Sequence, residues 1–399
     1  MSRHQASAPM LGYLYQVRYA LALLLEADNE QVSVCIEKFD DIAFSEDGSN
    51  PIDLIQLKHH IKGRGNLSNT SVDLWRTLNV WLDAIQAGSH PDARYLIITT
   101  SSAPDGSIAS ELKSNTSNLE NGKRDCNKLY EHLREIAEAA KQESNKKYYE
   151  NFLNVPAEKV RKLLANIIVL DDSKDIINLV DSIKKTLRYS TRAEYIDMIY
   201  ERVEGWWFRK SIEALSSAEP VFISQSEAGH IIRDVASQYT PDNLPIDVEY
   251  PSENEIYTFP FEERLFSKQL DLIAIGKKRA TICLRDFFRA FTQRNRWVQD
   301  ELLCIDELDR YEEKLIDEWQ HHFFRMQDEA KEYDEKEKET AGRALLSKIE
   351  DQDIRIRALC SDRFVMRGSY HILANKLTVG WHPEYEWHFH NTSLEKDAL

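Results

Sequence analysis

The chain has 399 residues of ordinary globular composition, enough for two or three domains with real cores. Its formal net charge of −16 argues against a protein that coats nucleic acid through global charge, although a local basic cleft is compatible with an acidic scaffold. The five cysteines (Cys35, Cys126, Cys283, Cys304, Cys360) stand singly without a CxxC pair, which argues against a disulfide framework or a structural zinc site.

No stretch nears the length of a membrane-spanning helix, and the N-terminus lacks the basic-then-apolar pattern of a signal peptide, so a cytoplasmic location is expected. Residues 12–26 place Tyr13, Val17, Ala20, Leu21 and Leu24 at helical spacing, with Gln16 beside that apolar face. Residues 31–37 (QVSVCIE) alternate and are β-rich, residues 41–44 form a second short strand, and SEDGSNP at 45–51 is dense in turn residues. A third strand spans 52–58. Ser68 to Ser71 offer a helix cap, and Val72, Trp75, Leu78, Leu82 and Ile85 form one apolar helix face. Residues 93–100 (ARYLIITT) read as a fully buried strand. The order is helix, three strands, helix, strand.

Residues 101–125 are rich in Ser, Asn, Gly and Asp and read as a loop or boundary. Helices are predicted over 128–142, 146–153, 156–166, 173–185 and 191–215, with a brief β-like interruption at 167–170. After Pro220 the texture changes. Four prolines break 238–261, one long helix or two follow over 279–315, and a further helix over 319–333. The charge run KEYDEKEK at 331–338 reads as a solvated face. The predicted domains are 1–125, a helical middle at 126–219, and a mostly helical C-terminal region at 220–399.

The stretch 36–60 carries the chemistry. In a strand, positions i and i+2 share a face, so Gln56 and Lys58 point together while Ile55 and Leu57 point the other way. Phosphodiester hydrolysis needs an activated water and a stabilised anionic transition state. Mg²⁺ (or Mn²⁺) supplies both when held by oxygen ligands. Asp41, the Gln56 side-chain oxygen and the Leu57 carbonyl are candidate ligands, with Glu37 as a further one. Lys58 would orient the water or neutralise developing charge, and Gln16 would help position the site. Asp40 shares strand parity with Ile42 and Phe44, so Asp41 is preferred over Asp40 as the metal ligand. His59, His60, Lys62 and Arg64 follow as the concentrated basic patch next to the site and are candidate DNA-phosphate contacts.

The motifs GYLYQ (12–16), IEKFDDI (36–42) and IQLKH (55–59), together with the αβββαβ order, resemble the PD-(D/E)xK nuclease superfamily. Within it they resemble the double-stranded-DNA endonuclease domain at the N-terminus of bacterial anti-phage effectors, including those of cyclic-oligonucleotide (CBASS) systems. The resemblance covers about the first quarter of the chain. It implies an α+β, restriction-endonuclease-like fold, Asp41 as the metal-binding acid, Gln56 in place of the usual glutamate of E-x-K, and Lys58 as the catalytic lysine. Gln56 removes a negative charge, which sets the alternative: a nuclease fold that holds DNA or a partner without cutting it.

The tail RFVMRGSYHILANKLTVGWHPEYEWHFH (363–390) carries His371, His382, His388 and His390 without a HExxH or an adjacent Cys, and reads as a buried aromatic and histidine-bearing core. GSYHILA (368–374) and GWHP (380–383), with RNRWVQDEL (294–302) and the pair Glu318-Trp319 upstream, resemble the C-terminal domain of proteins in ABC-three-component defence systems. That resemblance spans roughly 220–390. It implies a partner ABC-type ATPase and a small middle component, and no catalytic role; homo-oligomerisation is a separate expectation, attached to the helical middle at 128–219. No GxxxxGK[ST] loop or nucleophile elbow is present.

Overall fold

The structure is a computed structural model, and it describes residues 7–59, 66–90, 92–114, 119–120, 123–139, 142–250 and 264–389. It divides between Ala236 and Ser237 into two compact units.

The first unit is a six-stranded mixed sheet with helices on both faces. Its elements are α1 (Ser7–Glu26), β1 (Ser33–Ile36), β2 (Ile42–Ser45), β3 (Pro51–Lys58), α2 (Val72–Gln86), β4 (Arg94–Thr99), α3 (Cys126–Ala139), α4 (Lys146–Asn154), α5 (Ala157–Asn166), β5 (Ile167–Leu170), α6 (Asn178–Leu187), α7 (Ile196–Ser216), β6 (Ile223–Ser224) and α8 (Gln225–Gln238). Strands run in the order β5-β4-β3-β2-β1-β6. β1, β2 and β3 form an antiparallel meander, and β3, β4 and β5 are parallel. The expected helix, three strands, helix, strand order is therefore observed, within a mixed α+β fold.

The register explains the burial. Cys35, Ala43 and Leu54 lie opposite one another across β1, β2 and β3 and join Trp75, Trp81, Tyr95 and Ile97 in one core. Ile36, Ile42 and Ile55 form the alternate row on the other face, where α1 packs with β1, α6 and α7. β3 sits between β2 and β4 and is buried from Leu54 to Leu57, the polar Gln56 included.

The 167–170 segment is not an interruption but the edge strand β5, paired in parallel with β4. The 101–125 stretch contributes Ile108, Ala109 and Leu112 to the sheet's core, and α3, α4 and α5 add Leu133, Phe152 and Leu163 to the same cluster. Residues 126–219, expected as a separate helical middle, thus share a core with the N-terminal sheet, and the division falls near 236 rather than at 125 or 219. Low hydrophobicity between 101 and 125 suggested a boundary. The strand order overrides it, because β5 and β6 must return to the sheet.

The second unit is helical: α9 (Leu265–Leu272), α10 (Lys277–Gln299), α11 (Ile305–Glu329), α12 (Glu335–Glu350) and α13 (Arg363–Asn375). Of the one helix or two expected over 279–315, the structure has two, separated at 300–304 where Glu301 turns left-handed at φ 56°. The charge run opens α12 through a capping box between Asp334 and Glu337. α13 crosses α10 in close contact at Gly368, where a Cβ would meet the Asp286 carbonyl at 2.0 Å. No helix among the described residues is long and apolar enough to cross a membrane.

Candidate active site

Chain geometry at the end of β1 builds one wall of a cleft. Glu37 adopts φ 58°, a left-handed conformation that costs a non-glycine residue about 1 kcal/mol or more. Its amide donates to the Asp41 carbonyl at 3.1 Å and closes the tight link to β2. Asp40 is held on both oxygens: the Trp81 indole donates to Oδ2 at 2.6 Å and the Asp41 amide to Oδ1 at 3.0 Å. Asp41 accepts the Leu57 amide on Oδ2 at 2.6 Å, and among the described residues no donor reaches its other oxygen.

β3 supplies the floor. Leu54 lies in the core against α2, so Gln56 and Lys58, two and four residues on, leave that core on the same face and line the cleft. The Lys58 carbonyl is taken by the Thr100 amide at 3.2 Å, on the β4 side. Alternation then turns the Leu57 amide and carbonyl toward β2, beyond the last β2–β3 pair, Ile42 with Ile55. α1 adds Gly12, Tyr13 and Gln16, and α2 adds Arg76 and Val80. The cleft encloses about 470 Å³.

Burial dominates its electrostatics. Burial pushes the Asp40 carboxyl up to about 6, with the Asp41 charge adding to the shift and the Trp81 hydrogen bond opposing it. Glu37 stands at the solvent-exposed mouth and is also raised, first by desolvation and then by Asp41, while a hydrogen bond from Gln16 works the other way. Lys58 is lowered by burial despite the attraction of Asp41, Asp73 and Asp40. Gln16 Oε1 is buried without a hydrogen-bond partner among the described residues. The unpaired Gln16 amide oxygen, the open Asp41 oxygen, the Leu57 carbonyl and the Glu37 carboxyl give the cleft oxygen donors of the kind a hard divalent cation takes.

The structure therefore brings Gln16, Glu37, Asp40, Asp41, Gln56, Leu57 and Lys58 to one cavity. His59 departs from expectation. It follows Lys58 on the opposite face and stacks on buried Tyr15, with ring centroids 4.4 Å apart, where it fastens β3 to α1. His60, Lys62 and Arg64 lie outside the described residues. Sequence reasoning missed Arg76. Its signal was the spacing Val72, Arg76, Val80, a second stripe of α2 beside the buried one. Lys38 also lines the cleft, with its ammonium donating to the Ser217 carbonyl at 2.7 Å. In the tail His371 and His382 are buried, as the core reading expected, and His390 lies outside the described residues.

Residues 266–389 match a family model described as CTD7, C-terminal domain 7 of the ABC-three component (ABC-3C) systems. Among solved structures the chain is similar to the Acinetobacter baumannii Cap4 SAVED/CARF-domain containing receptor, with 12% identity and a TM-score of 0.31 over 74% of this chain and 62% of that one. The Moraxella osloensis Cap4 SAVED/CARF-domain containing receptor aligns at 11% identity and TM-score 0.32, over 71% of this chain and 69% of that one. The chain thus spans less than two thirds of the first receptor's length. No curated protein matches it.

Proposed function

We propose that this chain is a metal-dependent endonuclease that hydrolyses double-stranded DNA, and that it serves as the effector of an ABC-three-component anti-phage system under the control of a partner ATPase. The observation that carries the reading is the convergence of Glu37, Asp41, Gln56 and Lys58 at the end of a central strand, in a cleft where burial raises the carboxyls of Glu37 and Asp40. The C-terminal match supports association with an ABC-three-component system.

Bound Mg²⁺ or Mn²⁺ would acidify a water and share the charge of the scissile phosphate. Asp41, the Gln56 amide oxygen and the Leu57 carbonyl would hold it, with Glu37 completing the set. The Leu57 amide fixes the Asp41 carboxylate, so the ligand needs little reorganisation. Asp40 acts through its neighbour: anchored by Trp81, it grips the Asp41 backbone amide. Gln16 holds Glu37. Lys58, partly buried beside Asp41, donates hydrogen bonds to the attacking water or a phosphate oxygen and offsets charge developing there. Arg76, exposed on the rim, is placed to contact a neighbouring phosphate and seat the duplex without reading its sequence.

The test is cleavage of plasmid and linear duplex by purified full-length protein with Mg²⁺ or Mn²⁺, with and without the partner ATPase. Cutting by wild type and its loss in Asp41→Ala and Lys58→Ala support the reading. Unchanged cutting in both variants overturns the site assignment, and preferential cutting of RNA overturns the substrate.

A second reading, a nuclease fold that holds DNA or a partner without cutting, is favoured by Gln56, which gives the cleft a neutral amide where a carboxylate would bind a cation more tightly. Such a scaffold binds duplex but shows no response to Mg²⁺.

A further inference from the structure

A second cluster of ligand-type side chains lies in the helical unit, far in sequence from the cleft. Cys283 on α10, Glu350 at the end of α12 and His371 on α13 each present a ligand atom within 4.8 Å of the others. We propose that these three side chains bind a zinc ion, with water as fourth ligand, which ties α10, α12 and α13 together. The proposal is independent of the nuclease reading.

Distances carry the argument. Zn–S of about 2.3 Å and Zn–O of about 2.0 Å at a tetrahedral angle place sulfur and oxygen roughly 3.5 Å apart. Cys283 Sγ and Glu350 Oε1 are 3.6 Å apart. His371 is 1% exposed, and its Nδ1 is buried without a hydrogen-bond partner among the described residues, an orphan that is costly if left so. The second Glu350 oxygen accepts from Arg279 at 2.6 Å, and Arg279 also donates to Ser347, the kind of outer contact that orients a ligating carboxylate. The close approach of α13 to α10 at Gly368 lies about one turn from both Cys283 and His371, so it fixes the separation of the two helices that carry them. Glu350 is the partly exposed member and opens the fourth position to solvent.

Protonation agrees with this arrangement. Burial keeps the His371 ring neutral, at about 3, as a ligand must be. Burial also pushes the Cys283 thiol up, so its proton leaves only when a cation takes its place and passes to solvent on binding. The other grouping in this unit, Glu335, His382 and His388, is built differently. The Glu384 amide donates to His382 Nδ1 at 3.2 Å, which puts the ring proton on Nε2, facing Glu335 at 3.5 Å. With Nδ1 taken by the Glu384 amide and the proton left on Nε2, the His382 ring has no free lone pair to offer a cation, although Nε2 makes no hydrogen bond of its own.

The test is Co²⁺ titration of the full-length protein, reading the near-ultraviolet thiolate-to-cobalt charge-transfer band and its reversal by Zn²⁺. One equivalent giving that band, and a loss of affinity greater than about 100-fold in Cys283→Ser, support the site. His371→Gln should keep a weaker band. No band in wild type, or a band that survives Cys283→Ser, overturns the proposal. The wild-type spectrum alone decides if the variant does not fold.

Discussion

Gln293 and Gln16 are both amides on helices, one in each unit, and they are treated in opposite ways. Gln293 is fully buried, accepts the Asp247 and Val248 amides at 2.8 and 3.0 Å, and donates to the Pro245 carbonyl at 3.2 Å. Gln269 is equally complete, donating to Ala374 and Val379 and accepting from Trp381. Three ion pairs of the helical unit are closed as well, Arg294 with Glu312, Arg357 with Glu307 and Arg279 with Glu350. In the sheet unit Gln16 keeps a buried oxygen without a partner, Asp41 uses one oxygen of two, and Glu37 holds a left-handed backbone beside two further carboxylates. Polar groups that close on one another hold a fold together. Polar groups left open at a cleft are where a cation would be held on the reading proposed above.

The contrast can be broken most directly by removing one group from each side. Lys58→Ala and Asp41→Ala should lower duplex cleavage by about 10²–10³-fold while the unfolding midpoint barely moves. Equal activity would mean that the cleft is not the site. Gln293→Ala should leave cleavage intact but cost about 2–4 kcal/mol in urea unfolding, because it orphans two amides and a carbonyl. A cost below 1 kcal/mol for Gln293→Ala, or above it for Gln16→Ala, would erase the distinction.

Proton linkage gives a finer test. The folded Asp40 carboxyl, near 6, binds its proton more tightly than the unfolded one, so its contribution to stability is full below about 4 and is lost as pH rises through 6. In chelator, wild type should lose about 1–2 kcal/mol relative to Asp40→Asn between pH 4 and 7, and Mg²⁺ should shrink that loss. A difference of opposite sign would show that Asp40 is stabilised as a carboxylate. The smallest effect is expected from Gln56→Glu, which adds a charged ligand and should tighten Mg²⁺ by about tenfold with little change in stability. Unchanged affinity would remove Gln56 from the ligand set.

Much of this architecture was legible in the sequence because it rests on local rules. The alternation that puts Gln56 and Lys58 together on β3 is strand parity, and it placed them in the cleft. The same parity, carried one residue further, sends His59 to the other face against Tyr15, so a basic residue next to a site was not part of it. Long-range pairing was hidden. The edge strand at 167–170 looked like a break in a helical run until β4 was there to pair with it. Nothing near His371 in sequence suggests a thiol, because Cys283 arrives from another helix across the Gly368 contact.

The central claim is that the cleft's open oxygens belong to a hard cation. Calorimetric titration of Mg²⁺ into the full-length wild-type protein and Asp41→Ala tests it without requiring activation by a partner. One binding event is expected in wild type and should disappear in the variant. Absence of Mg²⁺ binding in wild type, or identical isotherms for the two proteins, would contradict it.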